Sequence, residues 1–167
     1  KPGGAEKPYL YPLRLKKGED IGWKGCGFKR QEITGNTFYV NGKPFRIKGV
    51  NRHETNPENG RTVTMDDMMK DIELFKKYNI NAVRTCHYPD HHLWYDLCDL
   101  YGIYVIAEAN IEAHEPGYGD KGLGLFDDWN HSIVERNERN VINFRNNPSV
   151  TIWSLGNETG SGPCFAN

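Results

Sequence analysis

No stretch of this 167-residue chain approaches 18 uninterrupted apolar residues, and its start, KPGGAEKPYLY, lacks the charged-then-apolar plan of a secretory leader. A membrane partner is therefore not expected. The cytoplasm is the favoured compartment, while a periplasmic or secreted location stays open for a chain whose leader has been removed. An excess of charge of one sign is missing too: 21 Lys and Arg against 22 Asp and Glu leave a net charge of -1, with no electrostatic footprint for nucleic acid. The four cysteines, Cys26, Cys86, Cys98 and Cys164, form no CxxC pair and stand far apart. That spacing argues against a zinc site or a disulfide framework and for buried free thiols. No glycine-rich phosphate loop of the GxGxxG kind opens a helix, which weakens a nucleotide-binding reading.

What is present, at 37% hydrophobic and 26% charged, is the composition of a folded globular protein. The first thirty residues differ from the rest. YLYPLRLKKGEDIGWKGCGFKRQEI has short aromatic and β-branched runs parted by glycine turns, as in antiparallel strands, but too few of them to be stable alone. In FYVNGKPFRIKGV, Asn41-Gly42 between two strand-like runs predicts a hairpin.

Then the period changes. Thr64 with Asp67 makes a capping-box start, and Met65, Met68, Met69, Ile72 and Phe75 recur at helical spacing. INAVRT is a short apolar strand. Leu93, Trp94, Leu97, Cys98 and Tyr101 mark a second helix, which Gly102 stops. IYVIAEA is a strand, a third helix carries Ile133, Val134, Val141 and Phe144 on one face, and SVTIWSL is again a strand. Alternating strands and helices predict parallel β/α units, the strands apolar enough to be covered on both faces.

Each of these strands ends in polar chemistry: Asn51, Arg52, His53 and Glu54; Arg84 and His87; Glu108, Asn110, Glu112 and His114; Asn157 and Glu158. The C-terminal mouth of a (β/α)8 TIM barrel collects active-site residues in this way. The crevice of a doubly wound sheet does so as well, but without a phosphate loop the barrel is favoured.

NAVRTCHYPDHHLWYDLCDLYGIYV, 81 to 105, and RNNPSVTIWSLGNE, 145 to 158, resemble the two signature stretches of glycoside hydrolase family 2, which holds β-galactosidases, β-glucuronidases and β-mannosidases. With NGKPFRIKGVNRHE and EANIEAH, the resemblance covers most of residues 33 to 160. EANIEAH is similar to the β-galactosidase branch, in which this loop holds magnesium (Mg2+); the glucuronidase branch lacks the Glu-x-His. The resemblance implies retaining hydrolysis of terminal β-galactosides, with Glu158 as acid/base, Asn157, His87 and His53 as sugar contacts, and Glu112, His114 and Glu158 as metal ligands. It also implies a homo-oligomer at full length.

The residues themselves are compatible with these roles. A carboxylate at the end of a buried strand is expected to be partly desolvated, which favours the proton a general acid needs. In an extended segment Glu112 and His114 project to one side, although such a pair also suits a polar loop without an ion. Each histidine taken alone suits a hydrogen-bonded structural role as well as a sugar contact. Arg84 is expected to anchor the site by pairing with a carboxylate, Glu108 being the candidate. Trp94 and Trp153 suit a core as well as a sugar platform.

Retaining glycosidases need a second carboxylate as nucleophile, and the family places it downstream of the Asn-Glu pair. Only four barrel strands are counted, where an eight-stranded barrel takes about 250 residues. The expectation is an internal fragment whose partner is the rest of its own polypeptide. Residues 1–32 would be the last strands of an immunoglobulin-like β-sandwich and its linker; residues 33–167 would be the first half of the catalytic barrel. Glu108, Glu112 and Glu115 are the local alternatives for the nucleophile. Two further classes stay open. One is a glycan-binding module using GRTVTMDD and GYGDKGLGLFDD. The other is a metal-dependent hydrolase with His53, His87, His114 and Glu112 as ligands.

Overall fold

The structure, a computed structural model, describes residues 7–114 and 121–166. Its chain order is β1 (Tyr11–Lys17), β2 (Asp20–Cys26), β3 (Gln31–Thr34), β4 (Thr37–Val40), β5 (Lys43–Pro44), β6 (Gly49–Arg52), α1 (Met65–Lys77), β7 (Ala82–Thr85), α2 (His92–Tyr101), β8 (Tyr104–Glu108), α3 (Asp127–Phe144) and β9 (Val150–Ser154). Short 3-10 turns at Leu123–Leu125 and Pro163–Phe165 flank the third helix and the chain's end.

Three sheets result. β1 and β2 form an antiparallel ribbon, and β3, β4 and β5 an antiparallel meander. Asn41 and Gly42, at φ 54° and 75°, make the β4–β5 turn; two successive positive φ values match the twist of the flanking strands, and Asn and Gly tolerate them best. The third sheet is parallel, in the order β6-β7-β8-β9 with no strand out of sequence. Consecutive parallel neighbours joined by helices are the repeat from which a barrel wall is built.

Local signals account for the helices. Thr64 caps α1, its side chain accepting from the Asp67 amide while the Asp67 carboxylate accepts from the Thr64 amide. Gly102, at φ 69°, closes α2 in the left-handed region that residues with a Cβ avoid. The core lies between helices and sheet: Met68, Ile72 and Phe75 of α1 and Trp94, Leu97 and Cys98 of α2 pack on Val83, Val105 and Ala107. Trp94 is wholly buried there, which settles it as core. Met65, by contrast, faces outward, 54% exposed, despite its helical spacing.

One expectation needs correction, and one holds despite a chance match. The strands are not all covered on both faces, for on the edge strand β9 Ile152 and Trp153 are each 36% exposed. The string GYGDKG, 117–122, does have GxGxxG spacing, but α3 begins only at Asp127 and is not opened by it. Cys86, Cys98 and Cys164 are buried free thiols and Cys26 is half-buried. Among the described residues no helix is long and apolar enough to cross a membrane.

Candidate active site

Parallel register places the polar strand ends side by side. Asn51 lies opposite Arg84, Arg52 opposite Thr85, and Glu108 opposite Ser154. Glu108, at the end of β8, has no exposed side-chain surface and is the hub of the site. Its Oε2 accepts from Arg84 Nε at 2.6 Å and from Ser154 Oγ at 2.7 Å, and its Oε1 lies 2.7 Å from His87 Nδ1. Burying a carboxylate without partners is costly, and these contacts satisfy it. Arg84 reaches on, Nη2 donating to Asn157 Oδ1 at 2.8 Å, so one guanidinium joins β7, β8 and the loop after β9.

That loop is shaped by close approach. A Cβ on Gly156 would lie 2.7 Å from the Ile111 carbonyl oxygen, so only glycine lets the β9 loop pass the β8 loop here. The Asn157 amide then donates to that same carbonyl at 2.8 Å, and Glu112 and Asn157 form a parallel bridge. Asn157 Nδ2 donates to Glu112 Oε1 at 3.3 Å. Glu158 follows at φ 47°, a left-handed conformation costing a residue with a Cβ about 1 kcal/mol or more, of the kind that clusters at functional sites. Its Oε2 contacts His114 Nδ1.

The Glu158 side chain is 42% exposed. This corrects the expectation of desolvation at a buried strand end. β9 ends at Ser154, before Glu158, and among the described residues no strand pairs with its other edge.

Glu112, His114 and Glu158 offer two carboxylates and an imidazole from two bridged loops, and among the described residues neither carboxylate pairs with a lysine or arginine. Their donor chemistry is of the kind a hard divalent ion such as magnesium takes, but among the described residues the three do not gather into a ligand cluster. Nor do His53 and His87 gather with His114 and Glu112. The metal-ligating side chains that cluster among the described residues are His53, Cys86 and His87. Glu115 lies outside the described residues.

Arg52, Tyr88 and Asp90 were given no role by the sequence reading, yet they shape the neighbouring wall. The buried Arg52 donates to Asp71 at 2.8 Å and Asp90 at 2.7 Å and lies over the Trp94 ring, 3.9 Å from its centroid. Burial pushes Asp90 up to about 7, with the Arg52 guanidinium pulling the other way. The Tyr88 hydroxyl accepts from the Glu54 amide at 3.1 Å and lies 3.4 Å from His53 Nδ1. The available signal was the string HYPD itself, four residues between a strand end and a helix start.

Comparison with known proteins adds to this geometry. Residues 31–167 match the model for "Glycosyl hydrolases family 2, TIM barrel domain". A β-galactosidase of Vibrio vulnificus (strain YJ016) is 46% identical over 164 residues, covering 95% of this chain and 16% of the relative. One from Enterobacter cloacae is 47% identical over 166 residues, again covering 95% of this chain and 16% of its own length. Among solved structures, a β-D-glucuronidase of Dictyoglomus thermophilum superposes with a TM-score of 0.79 at 29% identity, over 92% of this chain and 28% of that one.

Proposed function

The chain belongs to glycosyl hydrolase family 2, within its TIM barrel domain, and from that premise we propose that it supplies the acid/base side of a β-galactosidase active site. The observation that carries this is the convergence at one sheet end of Glu158, Asn157, His87 and the Arg84–Glu108 pair. The β-galactosidases named above, at 46% and 47% identity, support galactose as the sugar over the glucuronate handled by the structural neighbour at 29%.

In the proposed reaction Glu158 donates a proton to the glycosidic oxygen as the bond to the anomeric carbon breaks, then takes a proton from the water that releases the sugar. Asn157, oriented by Arg84, hydrogen-bonds the sugar's 2-hydroxyl. His87, oriented by Glu108, and His53 contact the ring. Retention requires a second carboxylate about 5 to 5.5 Å from Glu158. Glu108 is unsuited, since both its oxygens are taken by Arg84, His87 and Ser154. The nucleophile is proposed to come from sequence beyond these 167 residues, which span 16% of the curated relatives they match. Magnesium would be held by Glu112, His114 and Glu158, where its charge would hold the Glu158 carboxylate in position.

The test compares kcat/KM of the full-length protein on nitrophenyl β-galactoside and nitrophenyl β-glucuronide. A large preference for the galactoside supports the proposal. A preference for the glucuronide would move the chain to the other branch.

A further inference from the structure

One nitrogen of His53, one of His87 and the Sγ of Cys86 all lie within 4.8 Å of one another. This is a soft donor set, two imidazoles and a thiol, quite unlike the carboxylate-rich trio at Glu112, His114 and Glu158. It also sits on different elements: His53 follows β6, and Cys86 and His87 follow β7.

The surroundings match those of a metal-binding imidazole. His87 Nδ1 lies 2.7 Å from Oε1 of the buried Glu108, whose other oxygen is held by Arg84 and Ser154. Arg84 Nη2 also lies 3.3 Å from that Nδ1. In the tautomer with Nδ1–H donating to Glu108, Nε2 carries the lone pair that an ion would take, the carboxylate–histidine arrangement that fixes tautomer and ring orientation at metal centres. The Cys86 thiol donates to the Arg52 carbonyl at 3.3 Å and is buried, while His53 is exposed and leaves an approach for the ion and for water. Donors of one tetrahedral zinc, about 2.0 to 2.3 Å from the metal, lie roughly 3.5 Å apart. Closing from 4.8 Å or less asks for a shift of about 1 Å, which the exposed His53 side chain can supply.

We propose that His53, Cys86 and His87 form a site for a thiophilic divalent ion of the zinc class, and that an ion bound there blocks the sugar pocket. On binding, the Cys86 S–H bond breaks, an S–metal bond forms, and the proton leaves to solvent, so no oxidant or reductant is needed. Water fills the fourth position. Magnesium and calcium, which prefer oxygen, are rejected by the same donors. The blocking half of the proposal rests on the assignment of His53 and His87 to the sugar; the binding half does not.

Cobalt(II) is the probe, because thiolate coordination to it gives a charge-transfer band in the near ultraviolet. The full-length protein, freed of metal by chelation, is expected to bind one cobalt with that band. Cys86→Ser abolishes the band, zinc displaces the cobalt, and His53→Gln weakens binding by roughly tenfold or more. In assays, zinc raises KM for a nitrophenyl galactoside, chelator restores it, and Cys86→Ser stays active while resisting zinc. Absence of the band in the parent protein, or a band unchanged in Cys86→Ser, overturns the site. Should Cys86→Ser fail to fold, unchanged affinity in His53→Gln overturns it instead. A cobalt band in a protein without galactosidase activity would sink the sugar assignment and leave the metal site standing. Zinc bound with no effect on KM would sink the block.

Discussion

Arg84 on β7 and Asn157 in the loop after β9 are joined directly, Nη2 to Oδ1 at 2.8 Å, while the same guanidinium holds the buried Glu108 between them. Two residues far apart in the chain are thereby fixed in one orientation, and Asn157 presents its amide beside Glu158.

Glu108→Gln removes the only charge in that hub with no exposed surface and leaves Arg84 without its ion-pair partner. Loss of one member of a buried pair costs about 3 kcal/mol. The expected outcome is a lowered urea midpoint, together with a fall in kcat/KM as His87 and Arg84 lose their orientation. Chemical denaturation and steady-state kinetics on the same sample check both.

Thr64→Ala removes the cap of α1 and both halves of the Thr64–Asp67 capping box. The expected cost is about 1 kcal/mol. Kinetic constants should not change, because among the described residues the hydrogen bond linking α1 to the site's wall is the one Asp71 accepts from Arg52, and the cap is not part of it.

Lys29 supports a pH prediction. Its ammonium donates to the Pro148 and Val150 carbonyls, and burial lowers it from 10.5 to about 8, with Asp99 acting weakly the other way. Between about pH 8 and 10.5 the unfolded chain therefore holds a proton that the folded chain has released, and stability rises with pH across that window. Against Lys29→Met, which cannot titrate, the parent protein should gain in urea midpoint from pH 7.5 to 10.5. A flat difference would contradict the lowered value.

Chelation bears on the proposed magnesium. If the ion only holds Glu158 in place, removing it should reduce kcat in part, with activity restored by added magnesium. Complete loss would point to an ion taking part in the chemistry.

Much of this organisation could be read from the chain. The β/α alternation, the Thr64 and Gly102 caps and the Asn41-Gly42 turn were legible because each depends on local spacing or on a single backbone conformation. The convergence of Glu108, Asn157 and Glu158 was legible because parallel strands deliver their ends to one side. The exposure of Glu158 was not, since it depends on how Gly156 carries the chain past the Ile111 carbonyl. Nor was the nearness of Cys86 to His53. Cysteine spacing finds metal sites only when the ligands share a turn, whereas here parallel register across β6 and β7 brings them together. The Arg52 cluster escaped for a similar reason, because Asp71 and Asp90 meet it from two different elements.

The most direct measurement is the leaving-group dependence of Glu158→Gln in the full-length protein. A general acid matters most when the departing alkoxide is poor. The variant is therefore expected to lose about 10²- to 10⁴-fold in kcat/KM on alkyl β-galactosides, and far less on dinitrophenyl β-galactoside, whose leaving group departs without a proton. An equal loss on both substrates, or none, would contradict the assignment of Glu158 as the acid.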